Sequence, residues 1–138
     1  MANIVRRVDY YYTEVPNRAG AGAEVLNALK AGGANLFAYN GFPSSARRAQ
    51  LVFVPSDRDA FVAAAQKEGI KLVGPKTAFL IQGQDRVGSV ADVVSKLGQA
   101  QINITAMQAT ASGAGRYGAV LWVKPRNVGK TAKALGIS

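Results

Sequence analysis

The sequence contains no cysteine and no histidine. The first absence excludes disulfides and thiolate chemistry, and the two together remove the usual ligands of zinc, copper and haem. No apolar run approaches the roughly 18 residues of a membrane span. Charges also stand in "MANIVRRVDYYY", where the apolar core of a secretory signal would lie, so the expected location is cytoplasmic, with no membrane partner. Acidic residues are scarce, with 8 Asp+Glu against 17 Lys+Arg in 138 residues. Those carboxylates form no clustered pair suited to general acid and base roles, which weighs against an enzyme.

The chain that remains is 49% hydrophobic and 18% charged, a balance that suits a folded core and argues against wholesale disorder. Its net charge of +9 is uneven: residues 1–68 hold 8 basic against 6 acidic side chains, and residues 69–138 hold 9 against 2. Such asymmetry fits either a solvated basic surface or an anionic partner.

"NRAGAGAEVLNALKAGGANL" (17–36) and "DRVGSVADVVSKLGQAQINI" (85–104) repeat one pattern at an offset of 68 residues. Asn17, Arg18 and Gly20 fall on Asp85, Arg86 and Gly88; Val25, Leu26 and Leu29 fall on Val93, Val94 and Leu97; Asn35 falls on Asn103. The matches sit at a turn, along one helix face and at a strand entrance, so a supersecondary unit is repeated. In the second copy "TAFLIQG" reads as a strand, and Val90, Val93, Val94 and Leu97 mark one face of a helix that Gly98 can end. "INITAMQAT" and "RYGAVLWVK" then read as two strands, before a short helix in "PRNVGKTAKALGIS".

The first copy reads as "VDYYYTEV", a helix over about 20–31, "ANLFAYNG", "RRAQLVFV", a helix opened by Ser56 as N-cap with Asp59 three residues on, and "IKLVG" as fourth strand. The expected fold is α+β: tandem ferredoxin-like βαββαβ units, 1–75 and 76–138, with antiparallel sheets and helices on one face, the two units pairing into a larger continuous sheet. The second unit lacks a fourth strand. Residues 3–14 form an unusually long first strand region, so the N-terminal stretch or a partner chain is expected to cover the bare sheet edge.

A strand, "(N/D)R(A/V)G", a helix and "(A/I)N(L/I)" opening the next strand, written twice, resembles the ACT domain. Ala19 and Val87 stand where a proline often precedes the glycine in that family. The resemblance implies a stand-alone regulatory protein that binds a small molecule, typically an amino acid, at an interface between units. It also implies a homo-oligomer, a dimer, and a metabolic enzyme as the regulated partner. The implied ligand-binding residues are Asn17, Arg18, Gly20 and Asn35 in the first copy, and Asp85, Arg86, Gly88, Ser89 and Asn103 in the second.

The residue types permit such a site. Glycines at 20 and 88 let a carboxylate approach the helix start, where free N–H groups attract anions. Asn17 and Asp85 can accept from an ammonium group, Asp85 adding charge, or can simply cap their helices. Asn35 and Asn103 either take the family's ligand contact across the interface or hold the turn into the strand. Arg18 and Arg86 read as solvated cations.

No cofactor is expected. "GAGRYG" (113–118) has the letters of a dinucleotide loop but leads into a strand, and "GKT" (129–131) lacks the first glycine of a phosphate loop, with Lys124 in its place. Two alternatives stay open: a structural interaction subunit, and a single-stranded RNA binder using Tyr117 or Trp122 with Arg116 and Lys124. The two rings are separated by an odd number of positions, so a regular strand puts only one of them on any one face.

Overall fold

The computed structural model describes residues 3–138. In chain order they form β1 (Ile4–Pro16), α1 (Ala21–Ala31), β2 (Leu36–Pro43), β3 (Arg48–Pro55), α2 (Arg58–Lys67), β4 (Val73–Gln84), α3 (Ser89–Gln99), β5 (Ile104–Gly113), β6 (Arg116–Val123), a 3-10 turn (Pro125–Asn127) and α4 (Val128–Ala134). The fold is α+β, with six strands and four α-helices among the described residues.

Two compact units divide the chain. Residues 9–76 form one, and residues 77–138 form the other together with the described residues up to Val8. β1 and β4 are each long enough to give one part to each unit. In the first unit the strand order is β2-β3-β1-β4, and β3 pairs antiparallel with both β1 and β2. In the second it is β1-β4-β6-β5, and β6 pairs antiparallel with both β4 and β5. The start of β1 thus holds the fourth-strand position in the second unit, and Val5 packs on that unit's core.

Strand alternation fixes the two cores. Leu51 and Phe53 of β3 join Leu29, Phe61 and Ala65 of the helices in the first unit, where Phe61 lies 5.4 Å from both Tyr11 and Phe53 between ring centres. Phe79, Ile81 and Leu121 meet Val93, Leu97 and Ala132 in the second. The residues of opposite parity, Val52 and Val54 in one unit and Leu80, Val120 and Trp122 in the other, are buried as well.

Several boundaries differ from the sequence expectation, each for a local reason. "IKLVG" and "TAFLIQG" do not make two strands; β4 runs through Gly74–Pro75 without a break. A proline ends a strand only where its missing N–H is needed. α2 is capped by Asp57, whose carboxylate accepts from the Ala60 N–H at 3.2 Å, while Ser56 donates to the Asn35 carbonyl. Gly98 lies inside α3, and the chain turns out of the helix instead at Gln101, just past its C-cap Ala100, in the left-handed region (φ 58) with the Ile102 N–H closing on the Leu97 carbonyl. Gly33 makes the same closure for α1, so a non-glycine residue in the second copy hides a stop that is plain in the first. The apolar face of α3 is also only half used: Val93 and Leu97 are buried, whereas Val90 and Val94 are exposed.

The contact between α1 and α2 depends on a missing side chain. A Cβ at Gly32 would stand 2.5 Å from Ala64 Cβ and 3.1 Å from its Cα, neither of which can swing away. We expect Gly32→Ala to cost about 2 kcal/mol, at the level of core overpacking, in urea unfolding. Ala64→Gly should restore part of that loss in a double-mutant cycle; additive effects would show that the helices do not meet there.

Candidate ligand cleft at the start of the third helix

Gly20 and Gly88 are the N-cap residues of α1 and α3, at φ 88 and 86, with no side chain capping either helix. This geometry is open to glycine at no steric cost. Asn17 and Asp85 therefore do not cap. Asn17 instead ties the loop to the neighbouring hairpin, its N–H donating to the Arg47 carbonyl at 2.8 Å and Nδ2 to that of Ala46 at 3.3 Å. The Asp85 N–H donates to the Gly115 carbonyl in the same way, which leaves its carboxylate at the rim of a cleft.

That cleft has a volume of about 400 Å³ and lies between the first turn of α3 and strand β5. Asp85, Arg86, Gly88 and Ser89 line it from the helix side, Ala109, Thr110 and Ala111 from the strand, and Tyr117 from β6. Within the turn the Ser89 N–H bonds to the Arg86 carbonyl and the Asp92 N–H to the Gly88 carbonyl. The N–H groups of Val90 and Ala91 are the donors that a helix start leaves for a solvent molecule or ligand.

Arg86 is not a free cation. Its guanidinium pairs with Asp92 and donates to the Val87 carbonyl at 3.1 Å, folding back over the glycine. Arg18 does the same with Glu24, at 3.2 Å, and with the Ala19 carbonyl. Both arginines are exposed at the surface, as expected of solvated cations, and in addition each reaches the acidic residue in the first turn of its own helix. Glu24 and Asp92 are themselves 68 residues apart, a match that could have revealed the pairing. Ser89 is engaged too. Its hydroxyl donates to the Gln84 carbonyl at 2.7 Å, also lies 3.1 Å from that of Arg86, and accepts from the Arg86 N–H, so it locks the loop.

Tyr117 is the residue that repeat matching could not supply, because position 49 of the first copy is alanine. The ring is 4% exposed, yet among the described residues Oη has no hydrogen-bond partner. Burial pushes the phenol up, with the Asn3 side chain and the Arg86 guanidinium acting in the opposite sense and Asp92 adding to the rise. The Asn3 side chain is the one described group that acts on the phenol as a hydrogen-bond partner, although no bond of standard geometry joins the two. A buried hydroxyl left in this state costs about 1–3 kcal/mol, so an acceptor entering the cleft gains what the fold leaves unsatisfied.

Asn35 and Asn103 lie elsewhere. Each follows the C-terminal end of its helix, which puts it about 16 Å along the helix from the glycine of its own unit. The main-chain carbonyl of Asn35 accepts from both the N–H and the hydroxyl of Ser56, a bond that does not depend on the asparagine side chain. The rings invoked for RNA stacking fare no better: Tyr117 is in the core and Trp122 is 8% exposed on the other face of β6, so neither offers an open platform. Among the described residues no three His, Cys, Asp or Glu side chains gather as a metal site, and no helix is long and apolar enough to cross a membrane.

No protein-family model and no curated protein matches the chain. Solved structures do. A protein from Bacteroides thetaiotaomicron superposes with a TM-score of 0.81 at 20% identity, over 95% of this chain and 88% of that one. The ligand-free regulatory subunit of aspartate kinase from Thermus thermophilus follows at 0.65 and 15%, over 98% and 95%. Aspartokinase III of E. coli, in complex with lysine and aspartate, matches at 0.56 and 14%, over 98% of this chain and 32% of that one. At these identities the likeness concerns the fold, and it is the ACT-like fold of the aspartate kinase regulatory subunits.

Proposed function

We propose that the protein is a regulatory subunit that binds a free amino acid in the cleft at the start of α3 and passes the binding on to a metabolic enzyme. The unpartnered hydroxyl of Tyr117 at a glycine-opened helix start is the observation that carries this reading. The ligand carboxylate faces the Val90 and Ala91 N–H groups and Tyr117 Oη, and the ammonium group faces Asp85. Since Arg86 is already paired, the carboxylate is held by helix N–H groups and a phenol rather than by a salt bridge.

Asn35 and Asn103 can reach such a ligand only from another unit, which makes pairing of the tandem units, in a homodimer, part of the proposal. A bound ligand then favours the docked arrangement, and the partner enzyme reads the shift in population. The ACT-like fold shared with aspartate kinase regulatory subunits supports the reading.

The test is a thermal-unfolding screen against the twenty amino acids at millimolar concentration. A ligand at a hundredfold its dissociation constant stabilises by about 2.7 kcal/mol, a shift of several degrees. In Tyr117→Phe the ligand-dependent shift should shrink while the unliganded protein melts no lower, since an unsatisfied hydroxyl has been removed. If no amino acid shifts the wild-type protein, a structural interaction subunit becomes the better description.

A further inference from the structure

The cleft of the second unit has a counterpart by repeat symmetry in the first, between the first turn of α1 and strand β2. Positions 22 and 41 there correspond, at the offset of 68, to the cleft residues Val90 and Ala109, and both are glycine. Their empty positions are occupied by one side chain. A Cβ at Gly22 would meet Tyr39 Oη at 3.3 Å, and one at Gly41 would meet the same oxygen at 3.1 Å. Tyr39 stands on β2 with its ring 5.7 Å from that of Phe53, on the helix side of the sheet, and its hydroxyl reaches under the start of α1. Partial burial pushes this phenol up, while the residue as a whole keeps 38% of its surface exposed, so its outer edge faces solvent. The second unit has Met107 at the equivalent place, and the floor residue Tyr117 is replaced in the first by Ala49.

We infer that Tyr39 is a built-in occupant of the first-unit groove, so that the chain binds one amino acid, in the second unit, and not two. The inference rests on the amino-acid reading above. It accounts for two glycines that neither a turn nor a positive φ requires, since the glycines with positive φ do not include 22 or 41. A Cβ at either glycine would press on the Tyr39 hydroxyl and oblige it to shift by a few tenths of an ångström; in the second unit Val90 and Ala109 keep their Cβ atoms, and the space stays open to a ligand.

The test uses the amide signals of Gly20 and Gly88 as separate reporters in NMR spectra of the full chain, with each of the twenty L-amino acids added singly. In the wild-type protein the Gly88 signal should move and the Gly20 signal stay. In Tyr39→Met, which takes the residue of the second unit, both should move. A Gly20 shift in the wild type, or none in Tyr39→Met when Gly88 responds, would overturn the inference. A ligand-free measurement separates its failure from that of the reading beneath it: NOEs from the Tyr39 ring to the α-protons of Gly22 and Gly41 should be present. Their absence overturns the plug whatever binds at Gly88. NOEs present with no shift at Gly88 for any amino acid would overturn the amino-acid reading, and the one-site inference with it.

Discussion

Removing residues 1–7 should destabilise the unit built from residues 77–138 by about 3 kcal/mol or more, a large share of the 5–15 kcal/mol typical of a domain. The deletion strips the start of β1 from the edge of β4, taking with it Val5, which packs on the core of Phe79, Ile81 and Leu97. It also removes Asn3, whose side chain passes over Gly83, within 2.0 Å of where a Cβ on that glycine would stand. Each lost backbone bond is worth about 1 kcal/mol net, and part of a valine's 1.5–3 kcal/mol of burial goes with them. The sequence has a single tryptophan, Trp122, and it lies in this unit, so its fluorescence in urea reports the loss directly. A midpoint lower by a molar or more, with increased light scattering from the uncovered β4 edge, is the expected outcome. An unchanged midpoint would mean that the second unit closes its own sheet.

Much of this architecture is legible in the residues because the repeat reports it twice. The 68-residue offset places both helices, both turns and the hairpins that follow, and the apolar spacing picks out Val93 and Leu97 as core. What escapes is whatever the two copies do not share. Gln101 replaces a stop glycine, so the end of α3 is misplaced. β4 carries Gly74–Pro75 through its length because strand continuity is settled by neighbours far along the chain, which local turn chemistry does not encode. For the candidate cleft the glycines, Asp85 and Arg86 are readable from the motif, but Tyr117 and Tyr39 are not. Each lies on a strand where an aromatic residue ordinarily signals packing. Only the geometry separates a hydroxyl that is buried without a partner from one that fills a neighbour's missing Cβ.

Gly88→Val should weaken amino-acid binding about a hundredfold, and Gly20→Val should leave it intact. The two glycines have nearly the same backbone, φ 86 and 88, so a β-branched residue forced into the left-handed region strains both alike, by about 1–2 kcal/mol. Their stability losses should therefore match. Their effects on binding should not. Around Gly88 a Cβ would meet nothing nearer than Arg86 Nη1 at 3.9 Å, so valine methyls extend into the empty cleft, where the carboxylate would lie against the α3 N–H groups. A loss of about a hundredfold in affinity, roughly 2.7 kcal/mol, is expected there. Gly20 also has open space around it, but its groove is already held by Tyr39, so the substitution has no ligand to displace. Comparing the two variants cancels the strain they share and leaves the difference between the clefts. Equal binding losses would make the pseudo-symmetric sites equivalent and remove the role assigned to Tyr39. Unchanged affinity in Gly88→Val would move the ligand away from α3 altogether.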